Sequence, residues 1–475
     1  MADGRMTKDF AVFDCDAHVN DPLDIWERYV PEPQKDLVRD TYWCSNAGAF
    51  VNGTTMVGGG QVVGGGMYNP ICIAGPQMNK KIMRKLISMA PLTEEQVEYL
   101  HHDGAIDPHA RIHDMDLMGI DQVLVIPTMT IMNLPFAENP AGVAAFCNAY
   151  NNWCVDWCSE VPDRLFGAAL LPLQSPEATV GELHRAAERG MPVGLIRPID
   201  ARGAYPNDLA PASVSAGSLD PVFRAFEETG VVLGMHTFPA MSLGGTSGPG
   251  LLVSPGELLN QAGADSQTLS FVYEMQDWLA QILLGGFLDR YPRLRMAVFE
   301  SNSQWLPHLL ATCDRLFDLY ANERTVPVAR RPSEAFREQC VISFESDEEP
   351  TLAQWDQFAD IGIWASDCYH HDGADAWSAL RVLDGVDAPR EVQAKLMGEN
   401  ARRMYGIEAQ LFVTEEPEPI ARPDWFPQGP DLDRFSGLVS DPRHHADELR
   451  ALDLGDNPLT AMAAQLAFAM ESTAN

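Results

Sequence analysis

FAVFDCDAH, residues 10–18, is a short apolar run that ends in an Asp-x-His pair, and runs of this form return along the chain. Eight can be read, each β-branched or apolar and bounded by turn residues: FAVFDCD (10–16), DQVLVIP (121–127), LFGAALLP (165–172), PVGLIRP (192–198), GVVLGMH (230–236), RLRMAVFE (293–300), CVISFE (340–345) and IGIWASD (361–367). Stretches with helical periodicity stand between most of them, clearest at 139–160, 175–189, 219–229, 271–290, 303–322 and 390–404, several opened by Ser, Asp or Asn caps. Strands that alternate with helices predict a parallel sheet, and eight such units close a barrel. The expected fold is α/β, a (β/α)8 TIM barrel with a long insertion after strand 1 and a C-terminal extension.

The insertion occupies residues 20–110 and includes VGGGQVVGGGMYNP at 57–70. Neither Gly triplet is followed by Gly-Lys-Ser/Thr, so this is not a phosphate loop; its length and backbone freedom suit a lid or cap over the barrel mouth. Beyond residue 407 the chain turns Pro-rich and acidic. The expected organisation is a barrel over 1–407, with 20–110 as its cap, and an arm over 408–475. The arm ends in LTAMAAQLAFAM (459–470), which fits packing on the barrel or on a neighbour in a homo-oligomer or an assembly with a related subunit.

Composition bounds the class. Of 475 residues, 46% are hydrophobic and 21% charged, with no apolar run near the roughly 20 residues that a membrane helix needs. Thirty-three Lys and Arg stand against 67 Asp and Glu, a net charge of −34 that repels nucleic acid and anionic membranes. The acidic, mixed N-terminus lacks the pattern of a secretory signal, and nine cysteines without a close CxxC pair suit reduced thiols, so a cytoplasmic location is expected. Cys154 and Cys158, four apart in a helical stretch, fit core packing.

Barrel enzymes carry their reactive groups at the C-terminal ends of strands. Here the first run closes with Asp16 and His18, the fifth with His236, the sixth with Glu300 and the eighth with Asp367, followed by His370 and His371. A two-residue offset on an extended chain sends Asp16 and His18 to one side. Ionisable groups at the ends of apolar strands cost several kcal/mol of desolvation unless a cation or partner offsets it. The expected metal ligands are Asp16, His18, His236, Glu300 and Asp367, with His370 or His371 completing the set; His236, Glu300 and Asp367 are the expected catalytic residues. Glu345 and the acidic run Asp347, Glu348 and Glu349 read as a solvated turn.

In order and spacing, FDCDAHVNDP (13–22), RIHDMDLMGIDQVLVIPT (111–128), VPDRLFGAALLPLQ (161–174), GVVLGMH (230–236), RYPRLRMAVFESNSQWLP (290–307), ASDCYHHD (365–372) and MGENARRMYGI (397–407) resemble the amidohydrolase-related branch that includes aminocarboxymuconate semialdehyde decarboxylase and resorcylate-type decarboxylases. The resemblance implies a metal-dependent barrel in which Asp16, His18, His236 and Asp367 stand at the family's ligand positions. Two departures accompany it: Asp16-x-His18 replaces the usual His-x-His or Glu-x-His, and Glu300 replaces the catalytic His that the decarboxylases carry after the sixth strand.

Three carboxylates with two imidazoles suit two ions, Fe or Fe/Mn, with Zn an acceptable substitute. This shell also looks like that of the family's dinuclear oxygenases. The leading expectation is therefore an oxygenase that hydroxylates a small organic substrate. Close behind is a hydrolase of a C–N, C–O or thioester bond, using metal-activated water with Asp367 as base. A non-oxidative decarboxylase and a non-catalytic subunit follow.

Overall fold

The computed structural model describes residues 5–19, 22, 25–45, 48–56, 61–63, 66–68, 103–128, 130–131, 134–198, 219–237, 268, 271–370, 373–418 and 424. Eight parallel strands form one sheet in chain order: β1 (Phe13–Val19), β2 (Gln122–Pro127), β3 (Leu165–Leu170), β4 (Val193–Ile196), β5 (Val232–His236), β6 (Met296–Phe299), β7 (Cys340–Glu345) and β8 (Gly362–Ala365). A parallel bridge between Ala17 and Cys368 brings the end of β8 back to β1 and closes the ring. The fold is the expected TIM barrel. Most strands are trimmed by one to three residues at an end relative to the apolar runs, and Glu300 and Asp367 fall just past β6 and β8; the difference that matters most is at β1, which continues through Val19 instead of stopping at Asp16, so Asp16 and His18 lie within it.

Alternation along the strands divides two cores. Phe13, Leu124, Val193, Val232, Ala297, Phe299, Val341 and Ile363 fill the barrel axis, while their neighbours Met235, Met296, Val298, Ile342 and Trp364 pack outward in the layer that the helices share. Those helices begin where the sequence supplies caps. Asp107 accepts from the Ala110 amide before α1 (Pro108–Met118), Asn139 from those of Ala141 and Gly142 before α2 (Pro140–Ser159), and Ser175 from that of Ala178 before α3 (Pro176–Glu188). In each, proline takes the first helical position, where its missing N–H costs nothing. Cys154 and Cys158 are buried on α2, as core packing requires.

The described part of the insertion forms a helix at Lys35–Thr41 and antiparallel strands Tyr42–Ser45, Gly48–Val51 and Thr54–Met56. Its turn at Asn52 and Gly53 has left-handed backbone, φ 50° and 74°. The Asn52 amide donates to the Phe136 carbonyl at 3.0 Å and its oxygen accepts from the Glu138 amide at 2.9 Å, fastening the hairpin to the loop that leaves the C-terminal end of β2. Most of the Gly-rich 57–70 segment, and residues 71–102, lie outside the described residues.

At the opposite, N-terminal end of the barrel the start of the arm runs beside the N-terminal segment, with the Lys8 amide donating to Thr414 and the Glu416 amide to Met6, each at 2.9 Å. Asp121, one residue before β2, is fully buried there and accepts from the amides of Val12 (2.7 Å), Phe412 (2.6 Å) and Val413 (2.8 Å) and from the buried Lys8 ammonium. The 459–470 stretch lies outside the described residues. No described helix is long and apolar enough to cross a membrane.

Candidate active site

Strict alternation from Phe13 and Cys15, which face the barrel axis, would put Ala17 and Val19 inside and turn Asp16 and His18 out. The register prevents this: Asp14 pairs with Val123 but Ala17 with Val125, so β1 carries one extra residue between them. This β-bulge at Cys15–Asp16 reverses the alternation, sending Ala17 and Val19 into the outer core and Asp16 and His18 to the axis at the C-terminal mouth.

His236 reaches the same point by ordinary period-2 alternation from Val232 on β5. Glu300 does not, since it follows the inward-facing Phe299 and would point outward on a continued strand. Its left-handed backbone, φ 45°, turns the side chain inward, and Asp367 after β8 is likewise left-handed at φ 52°. Such conformations cost non-glycine residues about 1–3 kcal/mol each and cluster at functional sites.

The result is a compact constellation at the mouth. His18 Nε2 lies 3.4 Å from Asp16 Oδ1 and 3.5 Å from Asp367 Oδ1. His236 Nε2 lies 3.5 Å from both Asp16 Oδ2 and Glu300 Oε2. His370 stacks on His18 with ring centroids 3.8 Å apart, its Nδ1 2.7 Å from Asp367 Oδ1 and 3.9 Å from Glu300 Oε1. Six of the seven residues singled out in the sequence thus meet; the seventh, His371, lies outside the described residues.

The donor chemistry fits a cation. His18 Nδ1 faces the Pro127 carbonyl at 3.3 Å and His236 Nδ1 the Thr237 carbonyl at 2.6 Å, so each Nδ1–H donates outward and leaves an Nε2 lone pair aimed at the centre. Both Nε2 atoms and both Asp16 oxygens are buried without a hydrogen-bond partner, a costly arrangement for apolar surroundings. Their separations match the edge of a tetrahedron about 3.4 Å long around an ion bound at about 2.1 Å. Asp16, His18 and His236 offer one ligand set, and His18, Asp367 and His370 an overlapping one.

Electrostatics favour the ligating forms. Burial pushes the His18 imidazole down to about 3, with His370 adding to the effect, so it is neutral at physiological pH.

Several supporting residues lie inside the quoted motifs, but nothing local marks their partners. Asp14 stands inside FDCD, and burial pushes its carboxyl up to about 7 against the hydrogen bonds it accepts from Ser366. Arg111 is buried beneath the site, where it donates from Nε to the Gly104 carbonyl at 2.7 Å and from Nη2 to the His18 carbonyl, and stacks 4.4 Å over Tyr369. Tyr369 in turn donates to Asp114 at 2.5 Å. Pairings between residues 93 or more positions apart leave no local pattern to read. One reading is corrected: Glu348 is no solvated turn residue but is buried, accepting from the Ser303 amide and hydroxyl at 2.7 Å and from the Glu345 amide at 3.1 Å.

Comparison with known proteins places the whole barrel. The family model described as Amidohydrolase matches residues 13–407. An amidohydrolase from Mycobacterium avium subsp. paratuberculosis K-10 has 19% identity and a TM-score of 0.61, covering 84% of this chain and 100% of its own. A 5-carboxyvanillate decarboxylase from Novosphingobium aromaticivorans DSM 12444, solved with manganese and 3-methoxy-4-hydroxy-5-nitrobenzoic acid, has 19% identity and a TM-score of 0.56, covering 84% and 97%. A 2,6-dihydroxybenzoate decarboxylase from Rhizobium has 15% identity and a TM-score of 0.52, covering 84% and 99%. At these identities the likeness establishes the fold.

Proposed function

The chain belongs to the amidohydrolase family, and from that membership we propose that it is a metal-dependent, non-oxidative decarboxylase of a small hydroxylated aromatic acid. The observation that carries this reading is His370. Glu300 at the end of β6 stands where the resembling decarboxylases keep an imidazole for proton transfer, so that chemistry needs another imidazole at the mouth. His370, after β8, returns an imidazole to the mouth, 2.7 Å from Asp367 and 3.9 Å from Glu300, with its side chain 19% exposed and so able to meet a substrate. The decarboxylases among the structural neighbours support the same choice over the oxygenase and hydrolase readings.

Asp16, His18, His236 and Asp367 are the residues that would hold a divalent cation, manganese being the ion seen with the 5-carboxyvanillate enzyme. One ion fits better than two: the two ligand sets both draw on His18, whose Nδ1 is engaged with Pro127, leaving Nε2 as the single atom they would have to share. When bound, the ion supplies Lewis-acid polarisation of carboxylate and phenolate oxygens. His370 then delivers a proton to the ring carbon that bears the carboxylate, and Asp367 and Glu300 stabilise its charged form. As CO2 leaves, the C–C electron pair returns to the ring and restores its aromaticity.

Manganese-loaded protein should release CO2 from one or more members of a hydroxybenzoate panel under anaerobic conditions, in step with loss of substrate. Turnover that consumes oxygen would return the reading to an oxygenase; ester or amide cleavage without CO2 would favour the hydrolase. In the decarboxylase, His370→Ala should lower kcat by about 10²–10⁴, the range for a lost general acid, while the metal content measured by atomic absorption stays near one per chain. Glu300→Gln should also retain that single ion, whereas a fall from near two to one would support the dinuclear site.

A further inference from the structure

Asp16 and His18 belong to β1 and Asp367 follows β8, so the ligands straddle the seam where the barrel closes. Among the described residues that seam carries the fewest strand pairings in the ring: every other neighbouring pair of strands shares a ladder, but β1 meets the segment that follows β8 through one bridge, Ala17 with Cys368. Backbone bonds at the bridge run from the Asp367 amide to the Asp16 carbonyl at 3.0 Å and from the His18 amide to the Cys368 carbonyl. One carboxylate reinforces them. Asp14, fully buried, accepts from the Ser366 amide at 2.9 Å through Oδ1 and from the Ser366 hydroxyl at 2.5 Å through Oδ2. Asp14 Oδ1 also accepts from the Asp16 amide at 3.2 Å, and the Ser366 hydroxyl accepts from the Cys368 amide at 2.9 Å.

We propose that Asp14, acting through Ser366, is a positioning residue that sets the distance between the β1 ligands and Asp367. Its carboxylate holds the amide of Asp16 on one side and the residue before Asp367 on the other, while Ser366 holds the residue after. Asp367 is thereby pinned on both flanks in its left-handed conformation. Packing tightens the same turn: Gly373 sits so close that a Cβ there would stand 2.8 Å from the Ser366 carbonyl oxygen and 2.9 Å from that of Asp367. Asp14 points away from the barrel axis and does not reach the mouth. Its influence on the ion is therefore geometric, in the way hydrogen bonds behind a ligand tune affinity at other metal centres.

This inference rests on the metal site proposed above, and its test separates the two. Mn2+ binding to wild type, Asp14→Asn, Ser366→Ala and the double variant is measured by calorimetric titration, alongside thermal unfolding of each protein without metal. Asn keeps the shape and one acceptor of Asp14, and Ser366→Ala leaves the backbone bond in place, so Ser366→Ala serves if Asp14→Asn does not fold. Each single variant is expected to bind Mn2+ about 10–100-fold more weakly, and the double variant little more weakly than the worse single one, since both remove the same clamp. Variants that lose unfolding temperature yet bind Mn2+ as tightly as wild type would overturn the positioning role and leave Asp14 a structural strut. A wild type that binds no Mn2+ would remove the metal reading itself, and this inference with it.

Discussion

Replacing His236 by alanine should remove the cation and the activity together. His236 is buried at the end of β5, its Nε2 3.5 Å from one oxygen of Asp16 and 3.5 Å from one of Glu300. Without it, Asp16 keeps two buried oxygens that no hydrogen bond satisfies, and a cation bound there loses one of its two fixed imidazole donors. Ligand loss should weaken binding by more than the 10–100-fold typical of changes behind a ligand. If the ion supplies several kcal/mol of transition-state stabilisation, at about 1.4 kcal/mol per decade the rate falls by about 10³ or more. Metal content by atomic absorption and kcat/KM on a substrate that the wild type turns over provide the check. Wild-type activity in His236→Ala would count against the site as a whole.

The second large effect lies at the other end of the barrel. Asp121→Ala should destabilise the protein by about 3–5 kcal/mol, the cost of leaving a buried charge without its partner. Lys8 would lose that partner, and the amides of Val12, Phe412 and Val413 their acceptor. Against a total stability of about 5–15 kcal/mol, that loss is readily measured by urea unfolding. Burial already pushes the Lys8 ammonium below its ordinary value while Asp121 opposes the shift. With Asp121 gone, the unfolded chain holds the Lys8 proton more tightly than the folded one, so the deficit should narrow as pH rises toward the ordinary lysine value. A variant within about 1 kcal/mol of wild type at neutral pH would show that the latch is dispensable.

Much of the barrel was legible because its signals are local. All eight strands were visible as apolar runs, and the caps that open α2 and α3 are one-residue choices made by Asn139 and Ser175, whereas α1, which starts inside the expected insertion, was not read. Glu348 was misread because the acids around it look like a solvated run; its partner Ser303 is 45 residues away. The closing clamp was invisible for the same reason, since Asp14 and Ser366 are 352 residues apart.

The sequence by itself determined the order of strands and helices, the residue types at the strand ends, and the family resemblance, because hydrophobic period, caps and short motifs are written within a few residues of one another. The tertiary structure decided which way those residues face. A single extra residue in β1 turns Asp16 and His18 inward against the alternation, left-handed backbone at Glu300 reverses its direction, and His370 comes to rest on His18 from the far end of the chain. Side-chain direction in a closed barrel depends on register across strands. Register is set by contacts between segments distant in the chain, such as Phe13 with Gln122 and Ala17 with Cys368, which no local pattern contains.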